Sequence, residues 1–149
     1  LPYGESVLYL YVAHPTNRIG VLPYRDILGE TAPMYCTSLG KAMLSAMPEE
    51  EWEAHLPEQR VQYQPNTITD LDAIFEELHR TKRLGYAIDN CEHDVSVRCV
   101  GVPVYSAKGD LVAGLSTSGP AATMTDEKLM ECANILRNAA ARMRDRIYR

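Results

Sequence analysis

Between Asp89 and Cys99 the chain gathers three acids (Asp89, Glu92, Asp94), one histidine (His93) and two cysteines (Cys91, Cys99), then runs on as VGVPV. Three kinds of chemistry could use such a set. Thiolate, imidazole and carboxylate are good zinc ligands, so Asp89, Cys91, His93 and Cys99 are the residues that would hold a metal. Cys99 could be a nucleophile if its pKa were lowered, with His93 as base or Cys91 as resolving thiol. The same residues could instead form the polar lip of a small-molecule pocket. The spacings match no common structural zinc finger and there is no CxxC, so the expectation is no metal and no cofactor, with zinc as an alternative.

Two further groups bear on the question. In "TSLGKAML", Thr37 or Ser38 can cap a helix, and Gly40 lies in its first turn although glycine costs about 1 kcal/mol in a helix. A close approach to the backbone there would explain it. The amides freed at a helix start, with the helix dipole, make an anion site. In "LSTSG", Ser116 and Ser118 offer two hydroxyls on one side of a strand. Lys41 is expected to be solvated.

These groups need elements to place them. "ESVLYLYVA" (5–13) reads as a strand rich in aromatic and β-branched residues, and "NRIGVLPYR" (17–25) as a second. "GETAP" reads as a loop. Leu39, Ala42, Met43 and Ala46 fall on one face of a helix. Pro48, three glutamates, Trp52 and Leu56 suggest a short second helix. A third opens with Thr69 as cap, buries Leu71, Ile74, Phe75 and Leu78, and ends at Gly85 in a left-handed conformation. A strand over 86–89 follows.

"RCVGVPVY" and "LVAGLSTSG" then form a hairpin closed by "SAKGD". Cys99, Gly101 and Pro103 share one side of its first strand. If the loop closes on Ala107 and Lys108, Cys99 stands opposite Ser116 and the serines share its face. A bulge at Gly109 sends them to the other face unless a second bulge compensates. A final helix capped by Thr125 places Leu129, Cys132, Ala133, Leu136, Ala140, Met143 and Ile147 on one face, with its arginines solvated. Strands, helices, strands, helix in that order describe an α+β domain with an antiparallel sheet.

The bulk numbers agree. The 149 residues suit one domain that buries roughly two thirds of its unfolded surface. A formal charge of −5 with scattered basic residues argues against direct binding of nucleic acid. The separated cysteines Cys36, Cys91, Cys99 and Cys132 suit a reducing cytoplasm, and no apolar run is long enough for a bilayer.

"YCTSLGKAML", then "GYAIDNCEHDVSVRCVGVPV", then "LSTSGP" before a long C-terminal helix resembles the effector-binding domain of IclR-type bacterial transcription regulators, over nearly the whole chain. The resemblance implies a GAF-like antiparallel sheet of about six strands flanked by helices. It implies one effector-binding domain over 1–149, with the winged helix-turn-helix DNA-binding domain of the family outside this chain. The ligand pocket would be lined by Ser38, Leu39, Gly40, Asp89, Cys99, Ser116 and Ser118, and would suit a small carboxylate bearing a keto or hydroxyl group. The protein would be a cytoplasmic homodimer or tetramer without catalytic activity, reaching operator DNA only through the other domain. The alternatives are a cysteine-dependent enzyme of GAF-like fold and a metal sensor. The chain departs from the family pattern at Ser96, commonly glycine, and at Cys91, commonly an acid.

Overall fold

The computed structural model describes residues 1–14 and 27–147. In chain order these form β1 (Pro2–Tyr3), β2 (Ser6–Leu8), β3 (Thr31–Pro33), α1 (Ser38–Ala46), α2 (Leu71–Leu84), β4 (Ala87–Asn90), β5 (Val97–Tyr105), β6 (Leu111–Pro120) and α3 (Asp126–Arg144). The six described strands divide into two antiparallel three-stranded sheets, ordered β1-β2-β3 and β4-β5-β6. The architecture is α+β, as expected, with the strands in two sheets.

Alternation along β5 sorts the core into two layers. Val100, Val102 and Val104 face α3 and pack with Leu129, Ala133 and Ala140. The other face of the sheet receives α1, behind which lies a core of Val7, Met34, Met43, Trp52, Ile74 and Leu78. Burying each such large apolar side chain contributes about 1.5–3 kcal/mol, so α1 is fixed from both sides. Arg137, Arg142 and Arg144 on α3 are exposed, and so is Met143, which the helical pattern had placed inward.

Several local expectations are corrected. The first expected strand is regular only over Ser6–Leu8, with Tyr9 still bonded to the Glu30 carbonyl and the Gly29 amide, and GETAP contributes β3 rather than a loop. The expected strand over 17–25 lies outside the described residues. The segment after Pro48 forms two 3-10 turns, Glu49–Glu51 and Glu53–His55, instead of an α-helix. Their purpose is to seat Trp52, which is fully buried, donates its indole N–H to the Met47 carbonyl at 3.2 Å and meets Phe75 edge to face. α2 is capped by Asp70, whose side chain accepts from the Ala73 amide at 2.9 Å, not by Thr69. A carboxylate answers the helix dipole better than a hydroxyl, and the Thr69 carbonyl is engaged by Arg60. Gly85 closes α2 at φ 75°, in the left-handed region as anticipated.

The hairpin settles the question of faces. Ser106 pairs with Asp110 through its amide, with Gly109 at φ 95°, which is the bulged turn. A second irregularity follows at once: Tyr105 opposes Leu111 while Val104 opposes Ala113, leaving Val112 as an extra residue. The two shifts compensate. Cys99 stands opposite Ser118 rather than Ser116, and Ser116 stands opposite Gly101. Both serines therefore lie on the face of Cys99.

Candidate functional site

Thr37 shapes the start of α1. Its hydroxyl donates to the Pro33 carbonyl at 2.8 Å and accepts from the Gly40 amide at 3.1 Å, while its carbonyl accepts from Lys41 N–H at 2.9 Å. The amides of Ser38 and Leu39 are left without an intrahelical acceptor. This turn is pressed onto the sheet: a Cβ on Gly101 would lie 2.6 Å from the Ser38 carbonyl oxygen, and one on Gly114 would lie 2.7 Å from Leu39 Cδ1. Ser116 is the cross-strand neighbour of Gly101, and Asp89 is that of Cys99. Ser38, Leu39, Asp89, Cys99, Ser116 and Ser118 thus share one side of the β4-β5-β6 sheet.

Gly40 is the exception. Its missing side chain makes room for the Met34 backbone, which a Cβ would overlap. The close approach anticipated there is real, but it comes from the protein's own chain. Ser38 and Asp89 are buried, Cys99 is half-buried, and Ser116 and Ser118 are exposed. The described residues form an open polar face with a buried floor.

Asp89 does more than line the floor. Its Oδ1 accepts the Glu92 amide at 2.7 Å, which folds the chain back after β4 and carries Cys91 through φ 56°. Thr67 donates to the Glu92 carbonyl at 2.6 Å and Asn66 to that of Asn90 at 2.9 Å. Farther along, Asp94 Oδ1 takes both the amide and the hydroxyl of Ser96, and these bonds lower the Asp94 pKa. Ser96 closes that turn with its own side chain. His93 meets Tyr63 edge to face, with ring centroids 5.1 Å apart.

Lys41 corrects the sequence reading most sharply. It is 1% exposed, and its Nζ lies 2.6 Å from Glu92 Oε1 and 3.3 Å from Glu77 Oε1. One ammonium therefore ties the first turn of α1 to both α2 and the lip. The helical pattern could not reveal this, because the acid that turns Lys41 inward lies on a distant loop.

Electrostatics follow from burial. Burial raises the Asp89 and Glu92 carboxyls above their ordinary values, against the pull of Lys41. Burial also acts to raise Glu77, but hydrogen bonds from Arg80 and the Lys41 charge prevail and hold it low. Burial, then the Asp89 charge, pushes the Cys99 thiol up to about 12, the opposite of what a nucleophile needs. Tyr9, half-buried, is likewise pushed to about 12 by burial, with Cys99, Asp89 and Cys36 adding to it. Its ring packs against the core that lies behind α1. Among the described residues no three of His, Cys, Asp and Glu come together as they would around a metal ion.

Asp89 yields a prediction on pH. A carboxyl whose native pKa is raised binds its proton more tightly when folded, so it costs stability as pH climbs from the unfolded value near 3.8 through the native one. Asp89→Asn keeps the acceptor for the Glu92 amide and removes that cost. Melting curves between pH 4 and 7 should show the variant gaining on the parent as pH rises; a variant that loses ground across that range contradicts the assignment.

The chain is similar to known proteins along most of its length. The family model described as "Bacterial transcriptional regulator IclR C-terminal" matches residues 3–144. The HTH-type transcriptional repressor AllR of Escherichia coli K12 is 30% identical over 114 residues, 76% of this chain and 42% of the relative. The crystal structure of the Thermotoga maritima IclR superposes with a TM-score of 0.85 at 32% identity, over 97% of this chain and 58% of that one. A double mutant of the PobR transcription factor inducer-binding domain from Acinetobacter, in complex with 3-hydroxybenzoic acid, superposes with a TM-score of 0.75 at 30% identity, over 90% of this chain and 77% of that one. No described helix is long and apolar enough to cross a membrane. The order of elements, the α1 turn seated on a polar sheet face and the match over residues 3–144 together show that the chain belongs to the IclR C-terminal family of bacterial transcriptional regulators.

Proposed function

We propose that this domain senses a small metabolite and holds it between the start of α1 and the polar face of the β4-β5-β6 sheet. One observation carries the reading: Gly101 and Gly114 let the Ser38–Leu39 turn rest directly on the sheet, on the face that presents Cys99, Ser116 and Ser118. A carboxylate would lie against the amides of Ser38 and Leu39, where the helix dipole favours negative charge. The serine hydroxyls would bond a keto or hydroxyl oxygen. Gly40 serves here by packing against Met34, and Asp89 by holding the lip.

Binding would act by linkage. A ligand that prefers one arrangement of subunits, dimeric or tetrameric, shifts the population toward it, and the DNA-binding domains typical of the family report the shift as altered operator affinity. A coupling of about 1–3 kcal/mol would change that affinity roughly 5- to 150-fold. PobR, whose inducer-binding domain was crystallised with a hydroxylated aromatic acid, is the neighbour that supports a carboxylate class. The high pKa of Cys99 favours a thiol that lines a wall over one that reacts.

The test is calorimetric titration with a panel of small keto and hydroxy acids. Ser116→Ala and Ser118→Ala should each weaken the best binder by roughly 3- to 10-fold, the worth of one hydrogen bond, while the fold persists. Affinity unchanged in both variants would overturn the reading.

A further inference from the structure

Register sets two rows of residues across the α1 side of the β4-β5-β6 sheet. Ala87, Gly101 and Ser116 form the row under the Ser38 carbonyl, and Asp89, Cys99 and Ser118 form the next. Asp89 and Ser118 are each one strand away from Cys99, and neighbouring strands lie about 4.8 Å apart. An anion held between the start of α1 and Ser118 therefore stays within roughly 10 Å of the Asp89 carboxylate.

The charges beneath this face do not balance. Lys41 is engaged by Glu92 at 2.6 Å and Glu77 at 3.3 Å, Arg80 by Glu77 at 2.7 Å, and Arg98 by Asp126 at 2.7 Å. Asp89 is 4% exposed and forms no ion pair among the described residues. Its Oδ1 accepts the Glu92 amide at 2.7 Å, a bond that favours the charged form. Two cations, Lys41 and Arg80, thus meet three acids, Glu77, Glu92 and Asp89. One negative charge in the floor is left over.

From this imbalance we infer that Asp89 determines specificity at the sensing site, which admits effectors with one negative charge and refuses those with two. The inference rests on the placement of the effector at the start of α1. There a first carboxylate meets free amides and the positive end of the helix dipole. A second meets no unpaired cation and is repelled by Asp89 across a part-buried space that salt screens weakly. The class that fits is a monocarboxylate whose other polar group is neutral: a keto, hydroxyl or amide group.

Oxamate and oxalate test this directly, having the same shape and differing by one charge. Titrations at neutral pH, followed by the amide shifts of Ser38 and Leu39 in the isotope-labelled domain, should show oxamate binding at least about tenfold more tightly. Asp89→Asn keeps the acceptor for the Glu92 amide, and it should bring the two compounds within about threefold, chiefly by tightening oxalate. Ser118→Ala should weaken both alike and preserve their ratio, because it removes a hydrogen bond and no charge. A merely structural part for Asp89 would lower both affinities in proportion. Equal affinities in the parent, or a ratio that Asp89→Asn does not move, would overturn the inference and leave the sensing reading standing. Failure of oxamate to bind overturns the inference as well; failure of the whole keto and hydroxy acid panel overturns the sensing reading with it.

Discussion

Replacing Lys41 by methionine is expected to lower stability by about 3–5 kcal/mol, the cost of removing one partner from a buried ion pair. Methionine fills a similar volume, so the loss reports charge rather than packing. Glu92, 2.6 Å from the ammonium, is left buried with only the Asn90 amide at 3.4 Å on one oxygen and nothing on the other among the described residues, and Glu77 loses its second cation. The effect should depend on pH. Burial already raises the Glu92 carboxyl, and without Lys41 it rises further. A raised native pKa means that stability falls as pH climbs from the unfolded value near 4.5 toward the native one, so the damage is small in acid and complete at neutral pH. Adding Glu92→Gln should recover much of the loss, because a neutral amide is far cheaper to bury than an unpaired charge. Urea unfolding at pH 4 and pH 7 measures all of this. A neutral-pH loss below about 1 kcal/mol, the scale of a solvated pair, would mean that the bridge is not buried.

Gly40→Ala should also destabilise, although helix propensity alone predicts a gain of about 1 kcal/mol. The added methyl would overlap the Met34 backbone, and backbone cannot swing aside as a side chain can. Overpacking of this kind costs about 1–3 kcal/mol, occasionally more. To relieve it α1 must lift from β3 and its approach, which displaces the Ser38 and Leu39 amides, so binding of any carboxylate should weaken along with the melting temperature. A melting temperature at or above that of the parent would refute the packing account.

These two residues show what the sequence could disclose. Periodicity placed α1, α2 and α3 because each is amphipathic, and Thr37, Gly85 and Thr125 marked boundaries through short-range hydrogen bonds and backbone sterics. That Ser116 and Ser118 share one face of β6 followed from alternation, yet their alignment with Cys99 and their partner assignments did not. They depend on two bulges whose residues, Gly109 and Val112, signal the first and conceal the second. Trp52 was legible as buried but not as part of 3-10 turns, since its seat depends on Met47 and Phe75. Lys41 was misread for a related reason: whether a lysine is solvated depends on which acids the fold brings to it. Glu92 is 51 positions away in sequence.

The hairpin also limits how this protein can change its length over evolution. Leu111 packs on the α1 side and Val112 and Ala113 both on the α3 side, so the spare position lies just below the tip. Loss of Val112 would simply straighten the strand and leave every neighbour as it is. A one-codon gap between Ala113 and Ser118 would instead exchange hydroxyls for aliphatic groups along the rest of the strand, spoiling recognition and core together. Natural insertions and deletions in related sequences should therefore cluster from Ser106 to Val112 and be scarce beyond.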